Sequence, residues 1–364
     1  MFKCGYLAGG INITNNPERS VIPCCHVDHN HSLYNGKDLL NGNILRQMRK
    51  DALDGKIPEL CKPCVSKEEL GIESPRTRSI REFKNKGVVK ELFTPADVEV
   101  LYLKISNLCN FKCVMCDPSS SHLIAKENGI EDSLIEINNF YETQLLNLLP
   151  QMVNLRHVQI TGGEPLLHKK RNLDILRRLD KSVKIQYRTN GSVYDRQVVE
   201  FLKNFDTVQF LMSIDAQEDV LHYQRPRSDW KEIKSNLEKY KEQGFELINT
   251  MTVTAFNIHQ IPKFTNESGH FFDAIEFTAI RYPEEYRINL IQQDKLNSIV
   301  DELKSTKVTG NLSNYIKDIV ANHMSLPSKK VVKKFWKSVS NMKQYRDVDL
   351  NKAIPEMYDF YLKD

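Results

Sequence analysis

The sequence predicts an α/β fold: a partial (β/α)6 barrel with a small N-terminal cysteine-bearing domain and a helical C-terminal region. Three observations carry this. From residue 98 onward, six short β-branched and aromatic runs alternate with longer charged segments of helical period. Five of the eight cysteines fall before residue 65, in a stretch of different texture punctuated by Pro23, Pro58 and Pro63. After residue 290 only helical periodicity remains.

The six strands are expected at residues 98–106, 156–161, 183–189, 206–214, 246–254 and 273–280, with gaps long enough for the crossover helices that parallel strands require. In the N-terminal stretch a helix is expected over 42–53, between the cysteine groups. So small a domain buries little core of its own, and a bound metal would supply the missing stability. Candidate C-terminal helices cover 294–304, 312–323 and 329–343. The expected boundaries are therefore 1–75 for the cysteine domain, 76–97 for a charged connector, 98–285 for the barrel and 286–364 for the helical extension.

A chain of 364 residues, 40% of them hydrophobic, can bury a sizeable core in about two domains. Fifty-one Lys plus Arg against 47 Asp plus Glu leaves +4, too small an excess to select a nucleic acid or a membrane as partner. No uncharged apolar run approaches the roughly 18 residues of a membrane span, and residues 1–10 lack a signal-peptide pattern, so a cytoplasmic protein is expected. In that reducing compartment, tightly grouped cysteines point to metal ligation over disulfides.

Cys109, Cys113 and Cys116 follow the first strand in the run Asn107-Leu-Cys-Asn-Phe-Lys-Cys-Val-Met-Cys-Asp117. Iron–sulfur cubanes normally take four protein ligands, so three thiolates in a short loop leave one iron open to a substrate or cofactor. A zinc site completed by His122 is the alternative. At the end of the second strand stands Thr161-Gly162-Gly163-Glu164-Pro165, which read alone is a tight turn.

Together, the CxxxCxxC spacing and the GGEP run resemble the radical S-adenosylmethionine (SAM) superfamily, whose members have a TIM-like barrel. The resemblance implies a [4Fe-4S] cluster on Cys109, Cys113 and Cys116. SAM would chelate the open iron, and Gly162, Gly163 and Glu164 would line its methionine end. Reductive cleavage would give methionine and a 5′-deoxyadenosyl radical that takes a hydrogen atom from a substrate. Asn190 in Thr189-Asn190-Gly191, and Ser213 and Asp215 in Ser213-Ile214-Asp215, end the third and fourth strands, where barrel ligands gather. By the same resemblance they meet SAM, and Arg225 pairs with its carboxylate. Read alone, Asn190 is a turn residue, Ser213 a cap and Arg225 a surface charge. Met115 stands where the family often has an aromatic residue near adenine, and a thioether can fill that place.

Cys4, Cys24, Cys25, Cys61 and Cys64 remain. With Pro23-Cys24-Cys25, a helical stretch ending in Gly-Lys-Ile-Pro58 and Cys61-Lys-Pro-Cys64, this run resembles the SPASM/twitch auxiliary domains of radical SAM enzymes. An auxiliary [4Fe-4S] cluster on Cys4, Cys24, Cys61 and Cys64 is what the resemblance implies, with Cys25 able to replace Cys24. Arg19 stands where the pattern expects glycine. Other readings are zinc on Cys24, Cys25, His26, His29 and His31, a thioredoxin-type pair at Cys61 and Cys64, and Cys25 as a hydrogen-atom donor.

Lys329, Lys330, Lys333, Lys334 and Lys337 alternate with Val331, Val332, Phe335, Trp336 and Val339, an amphipathic helix with one basic side. It either packs on the barrel with a solvated face or attracts an acidic partner. The resemblance implies an oxidoreductase-type or peptide-modifying enzyme, a peptide as the leading substrate, and an electron donor such as flavodoxin or ferredoxin. Sugars, nucleosides and other small metabolites, dehydrogenated or epimerised, are the second reading. A zinc-stapled nucleic-acid-binding protein is the reading of another class.

Overall fold

The structure, a computed structural model, describes residues 1–15, 21–24, 26–27, 38–69, 71, 73–137, 139–322, 325–346 and 348–363. Arg19, Cys25, His29 and His31 lie outside them. The chain divides into two compact units: Met1–Cys109, Pro118–Arg188 and Asp195–Val208 form the first, and Asn110–Asp117, Thr189–Tyr194 and Gln209–Asp364 the second.

In the first unit, β1 (Gly10–Ile13), β2 (Val21–Ile22), β3 (Val100–Lys104), β4 (His157–Thr161) and β5 (Lys184–Thr189) lie in the order β2-β1-β3-β4-β5. β3, β4 and β5 run parallel, with Val100 opposite His157 and His157 opposite Lys184. Buried and half-buried positions alternate along β4 and β5, so Val158, Ile160, Ile185 and Tyr187 point into one core. Crossovers are made by the Asn139–Leu148 and Lys169–Leu176 helices. The helix after β5, Arg196–Leu202, begins at Asp195, whose carboxylate accepts from the Gln197 and Val198 N–H groups.

In the second unit, β6 (Val208–Met212), β7 (Glu246–Val253) and β8 (Ala274–Ala279) are parallel neighbours in chain order. The Trp230–Glu242 helix crosses from β6 to β7, capped by Asp229, and the Ile261–Ser268 helix crosses from β7 to β8. All six expected strands are therefore present, shortened by up to two residues at each end, and the α/β class of a partial barrel holds.

Two features differ from the sequence reading. β1 is parallel to β3, with Gly10 opposite Val100 and Ile13 opposite Leu103. The N-terminal stretch thus adds strands to the same sheet, and the compact units do not follow the boundaries expected at 75, 97 and 285. A four-residue strand between a glycine pair and asparagines carries too little periodicity to be read locally. The expected connector begins inside the Pro75–Glu82 helix, held to the N-terminal helix Gly5–Gly9 by the Gly5 N–H donating to Ser79 Oγ at 2.9 Å.

The C-terminal helices are Gln293–Ser305, Leu312–Asn322 and Lys329–Arg346. In the last, Val332 and Phe335 are buried, and Phe335 packs on Phe256 and Tyr361. Lys329, Lys330, Lys333, Lys334 and Lys337 are exposed, with Lys334 3.3 Å from Glu284. The basic side of this helix is thus exposed, as either reading of it requires. Among the described residues no helix is long and apolar enough to cross a membrane.

Candidate active site

The three-cysteine motif is divided between the units, with Cys109 in the first and Cys113 and Cys116 in the second. In the first unit the motif begins on Asn107, which is fully buried. Its Nδ2 donates to Pro118 O at 2.9 Å and Ser133 O at 2.8 Å, and its Oδ1 accepts from the Ile135 N–H at 2.7 Å. One side chain thereby ties three stretches of chain together. The Cys109 N–H donates to His122 Nδ1 at 3.2 Å. That bond makes His122 Nδ1 an acceptor used by the loop backbone, which works against a zinc site completed through this nitrogen.

The Gly162–Gly163–Glu164 turn leans on the same segment. The Gly163 N–H donates to Ser106 O at 2.8 Å and the Glu164 N–H to Leu108 O at 2.7 Å. Gly162 has φ +142°, and a Cβ there would lie 2.4 Å from Ser106 O; a Cβ on Gly163 would lie 2.2 Å from Leu108 O. The glycine pair is thus required where two backbones meet, a reason that holds whatever ligand the turn faces. Glu164 is fully buried, and its carboxylate accepts the Leu166 N–H at 3.1 Å. Gly163→Ala is expected to destabilise the protein by about 1–3 kcal/mol, because a backbone carbonyl cannot rotate aside as a flexible side chain would. A denaturant midpoint equal to that of the unsubstituted protein would contradict the close approach.

In the second unit, Cys113 is buried and Cys116 half-buried, joined by the Cys116 N–H donating to Cys113 O at 3.1 Å. The segment is clamped by the Lys112 N–H on Pro226 O at 3.2 Å, the Val114 N–H on Gln224 O at 2.8 Å and Arg346 Nη1 on Lys112 O at 3.0 Å. Arg225 Nη1 donates to Cys113 Sγ at 3.5 Å, while its Nε donates to Asp215 Oδ2 at 2.8 Å. Asp215 is fully buried, and its Oδ1 accepts the Thr252 N–H at 2.8 Å. The Cys113 thiol is drawn down to about 7, chiefly by its hydrogen bond with Cys116; burial opposes this and the Arg225 charge assists. Burial works against the Arg225 charge, but the Asp215 carboxylate together with Cys113 and Cys116 raises its pKa. A cysteine held ready to be a thiolate is the state a metal ligand needs.

Arg225 is therefore a buried ion-pair member and not a surface charge, with Nε already engaged by Asp215. Asn190 likewise joins a closed network. Its Nδ2 donates to Asn110 Oδ1 at 3.0 Å, and its Oδ1 accepts from Ser192 N at 2.9 Å and Ser192 Oγ at 2.6 Å. Asn110 Nδ2 donates to Ser192 Oγ at 2.8 Å. Asn110 and Ser192 were missed in the sequence, where nothing local marks them. Ser213 and Met115 are half-buried.

The N-terminal cysteines meet in the first unit. Cys4, Cys24, Cys61 and Cys64 line one cavity together with Tyr6 and Arg76. Cys4 precedes the Gly5–Gly9 helix, Cys24 follows β2, Cys61 ends the turn Glu59–Cys61, and Cys64 lies in the Lys62–Glu69 helix. Cys4, Cys24 and Cys64 are buried, and none of the four is in a disulfide. Burial pushes the Cys4 and Cys61 thiols up, and repulsion from the other sulfurs adds to it. Four soft sulfur donors brought together in one cavity are the donor set an iron–sulfur cluster takes. Among the described residues, no three His, Cys, Asp or Glu side chains converge tightly enough to hold a single metal ion.

A model of the radical SAM superfamily matches residues 103–267. The chain is 22% identical over 216 residues to a GTP 3′,8-cyclase of Campylobacter lari, covering 58% of this chain and 61% of that protein. It is 30% identical over 206 residues to a GTP 3′,8-cyclase of Synechocystis sp., covering 52% and 53%. Among solved structures it is similar to native anSMEcpe with bound AdoMet, at 17% identity and a TM-score of 0.44, covering 62% of this chain and 68% of that one. The chain spans about half to two thirds of the length of the curated relatives it matches. The resemblance carried by the cysteine and glycine motifs is therefore matched by the radical SAM superfamily model over residues 103–267.

Proposed function

We propose that this chain is a radical SAM enzyme that takes a hydrogen atom from its substrate, and that it carries a second cluster at its N-terminus. The observation that supports the first part is the three-cysteine motif inside the matched residues 103–267, clamped by backbone hydrogen bonds and with Cys113 beside Arg225. Cys109, Cys113 and Cys116 would hold a [4Fe-4S] cluster, and the cluster and SAM together supply a 5′-deoxyadenosyl radical. The protein's own contribution is positional. Arg225, anchored by Asp215, favours the Cys113 thiolate. Asn190, Asn110 and Ser192 keep the loop in one conformation, and Gly162 to Glu164 hold its first segment. Cys4, Cys24, Cys61 and Cys64 would carry the auxiliary cluster, supported by their meeting in one cavity.

A peptide is the leading substrate, supported by the resemblance of the N-terminal cysteine pattern to SPASM/twitch domains. A nucleotide is the second reading, favoured by relatives named GTP 3′,8-cyclase. The electron would come from a flavodoxin- or ferredoxin-type donor.

The test is anaerobic reconstitution with iron and sulfide, iron counting, and an assay for 5′-deoxyadenosine from SAM and a strong reductant. About eight irons per chain together with the nucleoside support both clusters. About four irons with the nucleoside would remove the auxiliary cluster alone. Zinc in place of iron, with no nucleoside formed, would overturn the catalytic reading.

A further inference from the structure

We propose that Arg76 tunes the auxiliary cluster electrostatically, holding its reduced state more favourable than the four cysteines alone would. This rests on the reading that Cys4, Cys24, Cys61 and Cys64 hold a cluster. Arg76 lines the cavity those cysteines share. Its side chain is only 18% exposed and is fixed at three points. Nη1 donates to Lys3 O at 2.8 Å, the carbonyl just before Cys4. Nε donates to Glu68 Oε1 at 3.0 Å, and Nη2 pairs with the other Glu68 oxygen. The guanidinium also lies over the Phe2 ring, 4.7 Å from its centre.

Glu68 belongs to the helix that carries Cys64 and is itself held by Ser74 Oγ, yet it is not among the residues lining the cavity. Of the two charges in the ion pair, it is thus the positive one that lines the cavity of the four cysteines. Reduction adds one electron to the cluster and makes or breaks no bond. A fixed cation beside that added charge stabilises the reduced form and raises the potential, and in a mostly buried pocket the field is weakly screened. Charge and hydrogen bonding around the sulfurs are the levers by which a protein sets such potentials. A purely structural brace would hold the helices together without this effect.

The experiment uses the full chain with Cys109, Cys113 and Cys116 changed to Ala, so that only the N-terminal cluster remains. Its potential is followed by an electron paramagnetic resonance redox titration with dithionite. Arg76→Gln is expected to lower the potential by at least 59 mV, a tenfold change in the one-electron equilibrium. Arg76→Lys should restore most of that shift, and Glu68→Gln should move the potential upward. An Arg76→Gln variant with its iron retained and its potential unchanged overturns the proposal. If that variant loses its iron, an unchanged potential in Glu68→Gln overturns it instead. Absence of iron from the parent triple-Ala chain would defeat the auxiliary-cluster reading itself, a result distinct from either.

Discussion

Changing Cys109, Cys113 and Cys116 together to Ala is expected to abolish 5′-deoxyadenosine formation and to lower the iron content from about eight to about four per chain. The loss should be one of chemistry and not of folding. Cys109 and Cys113 are small and buried, and replacing the thiol by hydrogen leaves only a small void. The clamps on this segment include backbone hydrogen bonds made by the Lys112, Val114, Gly163 and Glu164 N–H groups and the Arg346 bond to Lys112 O, none of which involves a cysteine side chain. The Arg225 to Asp215 pair also survives, because Cys113 meets Nη1 and Asp215 meets Nε. A variant with a native-like unfolding midpoint, half the iron and no nucleoside is the expected result. Nucleoside formed at the original rate would show that SAM is cleaved elsewhere. The complementary variant, with Cys4, Cys24, Cys61 and Cys64 changed to Ala, should lose the other four irons. Cys4 and Cys24 belong to an apolar cluster with Leu7, Ile22, Met48 and Leu60, so that variant should also lose stability.

Asp215→Ala is expected to cost about 3–5 kcal/mol of stability, the range for removing one partner of a buried ion pair. Asp215 is fully buried and Arg225 is 7% exposed, so water cannot replace the lost carboxylate. The Thr252 N–H, which donates to Oδ1, would lose its acceptor as well. The guanidinium would stay charged next to Cys113. Denaturant unfolding of the cluster-free protein reads this effect without interference from metal binding. The double variant Asp215→Leu with Arg225→Met should recover much of the loss, because apolar side chains of similar size remove both charges at once. A single variant that unfolds within about 1 kcal/mol of the parent would mean that Arg225 reaches solvent or a second anion.

The strands from β3 to β8 were readable because each is a run of β-branched and aromatic residues bounded by charge, a period that depends only on neighbours in the chain. The same is true of the helices over 293–305 and 329–346, whose apolar positions recur at helical spacing. The cysteine spacing was readable for a similar reason. A short loop confines its ligands whatever the rest of the chain does, and that constraint is visible in the spacing alone.

Partnership across long separations was not readable. β1 is four residues long and finds its place beside β3 some ninety residues later, a register set by the burial of Ile11 and Ile13. The sequence offers Asn190 as a turn residue or a SAM contact, and in the fold its amide is engaged by Asn110 and Ser192. Arg225 had no visible partner until the fold brought it to Asp215. Arg76, inside a charged stretch with many candidate partners, selects Glu68 and the cavity of the N-terminal cysteines. The sequence by itself thus determined the order of the strands from β3 onward, the cysteine motif and the glycine turn, because local periodicity and short loop closure specify them. Only the tertiary structure decided which polar side chains are buried together. That choice depends on which partner can meet a group once water has been excluded from both.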